Sequence, residues 1–322
     1  MKKPKISVII CTYNSPKLVK NCIDSIFSQD FKDFEVICVD GMSSDNTREV
    51  IKSYSKKDKR VKLLINKKRF PEGKGFGKWQ GYSKAKGDVI AFIDQDNILQ
   101  RSDLFSKAIK ILNSNSNNLG VLAGLKNDLK DNKVVRFVSL VGTDAFFAYR
   151  SIDFLRNLNP SKKGLEKIEM NLDNMPLTGG NCFFYFKKSL EKIGGYSKDV
   201  LVVKRLIENS NNQLFILKNS TKHYAEKNLI SLIKKKFTWA SKYRNSKNEE
   251  QFNYLPQTKK ERHFFLKNLG FNLLIIPNLI YSLKIYSNKK DPIIFIFPFM
   301  AFINTIAYLS NFIKEKINNW HN

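Results

Sequence analysis

An apolar run in the segment GDVIAFIDQDN (87–97) ends at two carboxylates, Asp94 and Asp96, with Gln95 between them. Two acidic side chains this close repel each other unless a positive charge lies with them. A divalent cation with oxygen ligands would relieve that repulsion, and Mg²⁺ or Mn²⁺ characteristically shares such carboxylates with the phosphates of a substrate. Strands also end in Asp and Asn for turn or helix-capping reasons, so the pair alone leaves a purely structural role open.

Other apolar runs of the sequence also lead into polar side chains. The run ISVIIC (6–11) is followed by Thr12, Tyr13 and Asn14, and the run FEVICV (34–39) is followed by Asp40. These residues would lie together if both runs were strands of one sheet, because the carboxyl ends of parallel strands meet at one edge. Asp40 could instead cap the turn that follows it.

The segments between these runs predict a sheet that is covered by helices. Apolar residues have helical spacing at positions 18, 19, 22, 23, 26 and 27, and the pattern continues with a helix over 46–54, a strand over 61–65, a helix over 79–86 and a strand over 89–93. Strands that are apolar on both faces belong in a parallel sheet between helices. Because residues two apart in an extended chain point the same way, Asp94 and Asp96 are expected to face one site.

Composition narrows the class of partner. The 322 residues carry 56 Lys plus Arg against 29 Asp plus Glu, a formal net charge of +27, so the surface attracts polyanions such as nucleic acid, anionic headgroups or phosphorylated substrates. The sequence has no zinc-finger spacing, RNP-like aromatic box or basic leucine zipper, which argues against nucleic acid. The four cysteines form no CxxC pair and indicate a reducing compartment, and the first apolar run is too short for a signal-peptide core.

Four segments between residues 7 and 196 resemble motifs of the family 2 glycosyltransferases of GT-A fold. They are SVIICTYN (7–14), EVICVDGMSSDNT (35–47), GKGFGKWQGYSKAKGDVIAFIDQDN (73–97) and GGNCFFYFKKSLEKIGGY (179–196). The resemblance is to bacterial and archaeal members that synthesise polysaccharides or lipid-linked glycans of the cell envelope. It implies an α/β fold with a Rossmann-like, mostly parallel sheet flanked by helices.

The resemblance also implies roles in binding a nucleoside diphosphate sugar. Thr12, Tyr13 and Asn14 match the loop beside the nucleotide base, and Asp40 matches the aspartate that hydrogen-bonds the base, usually uracil. Gln95 lies within the matching donor-binding loop.

Further implied roles concern the diphosphate and a Mn²⁺ or Mg²⁺ cofactor. Lys78, with Lys74 before it, falls where the family often has an Arg near the donor; Lys keeps the charge but not the two-pronged geometry. Asp94 and Asp96 match the DxD motif, with Asp96 as direct metal ligand and Asp94 as a ligand or a contact to the donor sugar. His223 resembles a histidine that approaches the metal or the diphosphate, although it could equally be a packed ring.

The acceptor side departs from the family pattern. The residues that match the acceptor-lining stretch are Gly179, Gly180 and Asn181. Inverting members usually follow their GGF or GGY with an acidic pair that supplies the general base, whereas this chain has Val203, Lys204 and Arg205 there. Asp199 is the preferred base, and the alternatives are Asp144, Asp173 or an acceptor phosphate.

The composition changes after residue 225, so we expect a GT-A domain over 1–225 and a basic, helical C-terminal region over 226–322. The segment LISLIKKKFTWASKYR (229–244) is basic and amphipathic, and residues 268–283 and 292–313 carry no charge. The second of these uncharged segments is long enough to span a bilayer, but we expect a C-terminal hairpin that is embedded in the cytosolic leaflet, with the basic surface attracted to anionic headgroups. The alternative is that these segments pack on each other or form a homo-oligomer contact in a soluble protein.

Taken together, the sequence and its resemblance to the family predict a metal-dependent glycosyltransferase at the cytoplasmic face of the cell membrane, and inversion is implied by the resemblance alone. Its donor is expected to be UDP-linked and its acceptor a glycan or a polyprenyl-lipid-linked molecule. A catalytically inactive GT-A-fold scaffold at the membrane is the rival interpretation, because the acidic pair is missing. A sugar-nucleotide nucleotidyltransferase is disfavoured, since the first strand is followed by CTYNSPKLVK and not by a Gly-rich, Arg-containing loop.

Overall fold

The structure is a computed structural model that describes residues 3–67, 77–114, 117–175, 182–244 and 259–320. The strands are β1 (Ile6–Thr12), β2 (Phe34–Asp40), β3 (Val61–Ile65), β4 (Val89–Phe92), β5 (Asn97–Leu99), β6 (Asn118–Leu125), β7 (Leu165–Glu169), β8 (Phe183–Phe186) and β9 (Gln213–His223). The α-helices are α1 (Pro16–Phe27), α2 (Thr47–Lys57), α3 (Gly77–Lys84), α4 (Leu104–Asn113), α5 (Lys133–Val141), α6 (Ile152–Leu158), α7 (Lys187–Lys192), α8 (Asp199–Glu208), α9 (Leu229–Arg244), α10 (Lys259–Leu273), α11 (Ile275–Lys289) and α12 (Phe297–Trp320). Two 3-10 helices cover Ala145–Arg150 and Pro292–Ile296.

The chain forms two compact units. The first contains Met1–Lys126 and Lys163–His223, and the second contains Asn127–Lys162 and Tyr224–Asn322. The sequence-based division after residue 225 lies two residues from the last of these boundaries. It did not foresee that residues 127–162 group with the C-terminal helices.

The first unit is built on one mixed sheet with the strand order β3-β2-β1-β4-β8-β6-β9-β5, and β7 pairs with β9. Strands β1 to β4 pair in parallel, as the sequence predicts, and nearly all the apolar residues of β1, β2 and β4 are buried, whereas β3 buries only Val61. Beyond β4 the sheet becomes mixed, since β8 runs antiparallel to both β4 and β6.

The topology brings the end of β9 to the same edge of the sheet as the ends of β1, β2 and β4. Two successive antiparallel pairings, β4 with β8 and β8 with β6, restore the direction of β4, and β9 is parallel to β6. The short strand β5 then pairs with β9 so that Asn97 lies opposite His223. His223 is therefore the last residue of a strand, directly beside the Asp94–Asp96 segment.

Close packing of α3 on β1 sets the position of Lys78. A Cβ atom at Gly81 of α3 would lie 2.5 Å from Cγ2 of Ile9, and a Cβ atom at Gly77 would lie 2.8 Å from Sγ of Cys11. Real Cβ atoms do not approach other heavy atoms this closely, so any larger residue would push the helix away from the strand.

A buried carboxylate at Glu35 joins the strands at the opposite edge of the sheet. It accepts hydrogen bonds from Ser7 Oγ at 2.7 Å and from the Lys86 backbone N–H at 2.8 Å, and it pairs with Lys62 Nζ at 2.6 Å. Burial raises the pKa of the Glu35 carboxyl, but the bonds from Lys62, Ser7 and Lys86 outweigh burial and hold the pKa below its ordinary value.

The second unit contains α5, α6, α9 to α12 and both 3-10 helices, held together by two networks of polar contacts. Asp291 pairs with Arg136 and accepts a hydrogen bond from Asn127 Nδ2 at 3.0 Å. Asp144 lies 3.5 Å from Lys236 Nζ, and it accepts hydrogen bonds from Tyr308 Oη at 2.8 Å and Asn304 Nδ2 at 3.3 Å. Burial lowers the pKa of Lys236 despite the attraction of Asp144. A buried pair of this kind is costly to break, because its partner is left without a counter-charge.

Two segments of the second unit meet the length and composition of a membrane span within the part of the chain that the structure describes. One is Pro292–Ser310, with 19 residues, of which half are buried. The other is the pair Phe265–Leu273 and Ile275–Lys289, which is bent by 86°. A buried helix of a soluble protein can have the same length and composition, so membrane association stays a prediction.

We predict that Glu35→Gln removes a pH-dependent part of the stability. Because the folded pKa of Glu35 is lowered, its stabilisation is fully present above the unfolded pKa of about 4.3 and is lost as the pH falls through the folded pKa. The variant should therefore unfold at lower urea concentration than wild type at pH 7, and the difference should shrink as the pH falls below about 4. Urea unfolding between pH 3 and pH 7 measures this. If the difference in unfolding midpoint between the variant and wild type stayed the same from pH 3 to pH 7, the stabilising role of ionised Glu35 would be contradicted.

Candidate functional site

Three loops of the first unit meet at the carboxyl edge of the sheet. They follow β1, β2 and β4, and the N-terminus of α8 and the end of β9 lie with them. The sequence-predicted residues of this edge are Thr12, Tyr13, Asn14, Asp40, Lys78, Asp94, Gln95, Asp96, Asp199 and His223, and the contacts given below bring them together. Lys74, Gly179, Gly180 and Asn181 lie outside the described residues.

Asp40 is fully buried and organises the loop after β2. Its carboxylate accepts hydrogen bonds from Thr12 Oγ1 at 3.0 Å, from the Ser43 backbone N–H at 2.8 Å and from Ser43 Oγ at 2.6 Å. Arg48 Nε lies 3.9 Å away and supplies a positive charge. A carboxylate has about four acceptor positions, so these donors leave little capacity for a ligand unless the loop rearranges. A direct bond from Asp40 to a nucleotide base stays a prediction.

The loops after β1 and β4 are tied to each other through Gln95. Its amide accepts a hydrogen bond from the Tyr13 backbone N–H at 2.8 Å and donates to the Tyr13 carbonyl at 3.2 Å and to Ser15 Oγ at 3.1 Å. Asn14 has a left-handed backbone with φ 42°, which Asn tolerates better than most residues, and its side chain accepts from the Ser44 N–H at 2.9 Å. These bonds fix the loop that the resemblance places beside a nucleotide base.

The Asp94–Asp96 segment is a turn and not the extended stretch that the sequence suggested. The Asn97 backbone N–H donates to the Asp94 carbonyl at 3.0 Å, so the two carboxylates do not share one direction by strand geometry. Each has its own cationic or ionisable partner: Lys78 Nζ lies 3.2 Å from Asp94 Oδ1, and His223 Nε2 lies 3.2 Å from Asp96 Oδ2. Burial raises the pKa of Asp94, and the charges of Asp96 and Asp199 raise it further against the opposing effect of Lys78.

Lys78 also binds Asp199, and it thereby bridges two carboxylates. Its Nζ lies 3.0 Å from Asp199 Oδ2 and 3.3 Å from Oδ1, and Tyr196 donates its hydroxyl to Asp199 Oδ1. Asp199 is the first residue of α8, where the unpaired N–H groups of a helix stabilise a carboxylate. The buried ring of Tyr196 packs on Phe92 of β4 with centroids 4.4 Å apart, so this carboxylate is anchored to the sheet.

The other carboxylates to compare with Asp199 are Asp144, Asp173 and Glu208, which also follows the GGY motif in the sequence. Glu208 lies at the opposite end of α8 and is 4.0 Å from Lys204. Asp144 belongs to the second unit and is held by Lys236, Asn304 and Tyr308. Asp173 is exposed in a turn. Asp199 is thus the candidate that shares a cation with the DxD segment.

The pair Asp96 and His223 fits a divalent cation by its spacing and donor chemistry. Two ligands at about 2.1 Å and at right angles around an octahedral ion lie about 3.0 Å apart, close to the 3.2 Å between His223 Nε2 and Asp96 Oδ2. Carboxylate and imidazole ligands suit Mn²⁺, and carboxylates with phosphate oxygens suit Mg²⁺. Among the described residues no group of three or more His, Cys, Asp or Glu is arranged to hold a metal.

Sequence reasoning missed three features of this site. It did not foresee that Ser43 would donate two hydrogen bonds to Asp40, that Tyr196 would hold Asp199, or that Lys78 would bridge Asp94 and Asp199. Tyr196 is the last residue of the motif at 179–196, but no pattern in that motif indicates that its hydroxyl binds Asp199 at the start of α8. Lys78 and Asp199 are separated by 121 positions, and no local pattern reports a contact at that range.

Comparison with known proteins identifies related sequences over part of the chain. A protein of Campylobacter jejuni, described as GalNAc(5)-diNAcBac-PP-undecaprenol beta-1,3-glucosyltransferase, is 37% identical over 114 residues, which cover 35% of each chain. A poly(ribitol-phosphate) beta-glucosyltransferase of Bacillus spizizenii is 34% identical over 128 residues, or 38% of this chain and 19% of that protein. The matched segments therefore span about a third or less of these relatives' own length.

Solved structures share the fold over nearly the whole chain. S. aureus TarS 1-349 matches with a TM-score of 0.52 and 16% identity, covering 94% of this chain and 89% of that one. The mannosyltransferase PcManGT from Pyrobaculum calidifontis, in complex with GDP-Man and Mn²⁺, matches with a TM-score of 0.53 and 15% identity, covering 96% and 88%. The expected GT-A architecture is thereby confirmed. The family described as Glycosyl transferase family 2 matches residues 7–194, more than half of the chain, and the chain belongs to that family.

Proposed function

We propose that this chain is a metal-dependent glycosyltransferase that moves a sugar from a nucleoside diphosphate donor, UDP-linked, to a glycan or a lipid-linked acceptor with inversion. The observation that carries the proposal is the meeting of two groups at one edge of the sheet: the carboxylates of Asp94 and Asp199 bridged by Lys78, and the carboxylate of Asp96 beside the imidazole of His223. Donor, metal and base chemistry need these residue types within one small volume.

The donor is held by the loops after β1 and β2. The segment from Thr12 to Asn14 is fixed by Asp40, Ser43 and Gln95, and it forms the wall against which a nucleotide base would lie. Lys78 would bind the diphosphate, because its ammonium lies between Asp94 and Asp199 at the edge of the sheet where the donor would bind. Gln95 and Asp94 would line the part of the site that holds the donor sugar. The acceptor contacts expected of Gly179, Gly180 and Asn181 remain predictions from the sequence.

Asp96 and His223 would hold the divalent cation, with Asp94 nearby. A bound Mn²⁺ or Mg²⁺ would supply positive charge to the departing diphosphate. In the free protein, His223 Nε2 and Asp96 Oδ2 face each other at 3.2 Å, so both ligands are already oriented for one ion. Such preorganisation lowers the cost of binding, because few side-chain rotations have to be frozen.

Asp199 would act as the general base. The acceptor hydroxyl oxygen attacks the anomeric carbon, the bond from that carbon to the diphosphate oxygen breaks, and the hydroxyl proton passes to Asp199. Lys78 and Tyr196 hold this carboxylate in place before the acceptor arrives. Because a bound cation weakens a base, transfer of Lys78 to the diphosphate would leave Asp199 free to accept the proton.

We place the enzyme at the cytoplasmic face of the cell membrane. The name of the Campylobacter relative includes an undecaprenol-linked substrate, which supports a lipid-linked acceptor. The net charge of +27 and the apolar helices of the second unit support an anionic membrane as the place of work.

The first test is release of nucleoside diphosphate from UDP-, GDP- and dTDP-sugars with Mn²⁺ or Mg²⁺ and membrane extract as acceptor. We expect turnover that requires metal and that falls by about 100-fold or more in Asp96→Ala, since a metal ligand is lost. Asp199→Asn should lower kcat by about 100-fold or more while donor affinity persists, because a base contributes about 10²–10⁴. The charge-matched control is Asp24→Asn on α1, whose partner is Lys20.

The same experiment distinguishes an active transferase from a catalytically inactive scaffold. Nucleotide binding without turnover from any donor, even when purified lipid-linked glycans replace the extract, would support an inactive scaffold and contradict the proposal. Full activity in Asp199→Asn would show that another group is the base.

We predict that the bridge formed by Lys78 contributes to the stability of the fold. Lys78→Met leaves Asp94 and Asp199 facing each other without their shared cation, so the free energy of unfolding at pH 7 should fall by about 1–3 kcal/mol after allowance for partial exposure. Adding Asp199→Asn should recover most of that loss, which a double-mutant cycle measures. Lys20→Met, which removes an exposed ion pair on α1, should change stability by less than about 1 kcal/mol. Additive effects of Lys78→Met and Asp199→Asn would contradict the bridge.

A further inference from the structure

The helices α10, α11 and α12 of the second unit carry polar side chains on their buried sides. The buried polar residues are Asn268 and Asn272 of α10, Asn278 and Ser282 of α11, and Asn304 and Thr305 of α12. In α11 two of the three buried residues are polar. A helix of a soluble protein normally turns its apolar side inward, so the described parts of α10 and α11 are inverted, whereas α12 also buries apolar residues such as Phe297 and Met300.

Several of the inward polar side chains form hydrogen bonds within the unit. Asn272 Nδ2 donates to the Phe146 carbonyl at 3.1 Å, and Asn278 Nδ2 donates to the Phe271 carbonyl at 2.9 Å. Ser282 Oγ donates to the Ile294 carbonyl at 3.2 Å. Polar contacts between helices are the kind of contact that holds helices together where the surroundings are apolar.

The outward sides of the same helices are apolar. Ile276 is 72% exposed, Ile275 63%, Ile280 60% and Phe299 60%. Further exposed apolar residues are Leu266, Leu273, Leu274, Leu279, Leu283, Phe295, Phe302, Ile306 and Ile313. Phe299, Phe302 and Ile306 follow one another at helical spacing along one side of α12. An apolar surface of this extent is rare on a soluble monomer and indicates an apolar partner.

The charged residues at the borders of this apolar surface indicate what kind of partner would cover it. Residues 268–283 and 292–313 contain no charged side chain, and Lys267, Lys284 and Lys290 are exposed at their borders among the side chains that the structure describes. The one acid between the two segments, Asp291, is buried and paired with Arg136. An apolar surface bordered by cations complements a bilayer with anionic headgroups, in which acyl chains cover the apolar part and headgroups meet the lysines.

The geometry favours insertion into one leaflet over spanning. Helices α10 and α11 have 15 residues each. Each is therefore about 22 Å long at 1.5 Å per residue, short of the ~30 Å hydrocarbon core. The two are bent by 86° at Leu274. Helix α12 exposes one side and packs its other side on its own unit, including the lysine-rich α9, which a hydrocarbon core would not accept.

We propose that the second unit is a monotopic membrane anchor, which inserts the elbow between α10 and α11 and the outer side of α12 into a single leaflet of an anionic bilayer. The inference deepens the proposed membrane location and rests on it. It does not require donor, metal or catalytic residues, so its failure and a failure of the transferase chemistry are distinguishable.

Vesicle flotation of the full-length protein, without nucleotide or metal, tests the anchor. Wild type should float with phosphatidylglycerol–phosphatidylcholine vesicles and more weakly with phosphatidylcholine alone. Ile276→Glu and Ile280→Glu should each lower binding to the anionic vesicles by about tenfold or more, since a charge would enter the apolar layer. The matched control is Leu172→Glu, which places the same charge at a 48% exposed leucine of the first unit and should float as wild type does.

Two further measurements decide the mode of insertion. Cysteines at Lys267→Cys, Lys290→Cys and Lys314→Cys should all react with a membrane-impermeant maleimide from outside the vesicle, and protection of any one would show a spanning helix and overturn the monotopic mode. Unchanged circular dichroism of the Glu variants checks their folding. If wild type does not float and is a dimer in solution that Ile276→Glu converts to a monomer, a second copy covers the surface and the proposal is wrong.

Discussion

The site depends on the mutual repulsion of carboxylates gathered at the carboxyl edge of the sheet. Burial raises the pKa of Asp94, the charges of Asp96 and Asp199 raise it further, and one bridging lysine and one histidine lie against these carboxylates. Lys78 reaches both of its partners because glycines at 77 and 81 let α3 approach β1 closely. His223 reaches Asp96 because two antiparallel pairings return β9 to the direction of β4. A cluster of three carboxylates attracts cations to this site.

The two units differ in where their polar side chains lie. In the first, buried strands supply an apolar core and the polar residues collect at one edge of the sheet. In the second, α10 and α11 bury asparagines and a serine and expose leucines and isoleucines, although other apolar residues of the unit are buried. The outer side of these helices would suit acyl chains. The proposed transfer from a soluble donor to a lipid-linked acceptor would use both arrangements.

The sequence predicted the part of the fold that local patterns encode. Continuous β-branched runs gave β1 to β4 with ends within one or two residues, and the DxD segment followed β4 as expected. The turn at Asn97 was not visible, since an Asp-rich strand end is compatible with both extended and turned backbone. Nor could hydropathy tell which side of α11 faces the protein, because Asn278 and Ser282 look like the solvent side of an ordinary helix. The long-range contacts of Lys78 and the grouping of residues 127–162 with the C-terminal helices arise from tertiary packing alone.

The most direct test of a metal site at Asp96 and His223 is pulsed electron paramagnetic resonance of Mn²⁺ bound in the presence of UDP, since echo modulation by a nitrogen reports an imidazole bonded to the metal. We expect nitrogen modulation in wild type, its loss in His223→Gln, its retention in His263→Gln on α10, and weakened Mn²⁺ binding in Asp96→Ala. Mn²⁺ bound by wild type without nitrogen modulation, and with an affinity that Asp96→Ala leaves unchanged, would contradict this metal site.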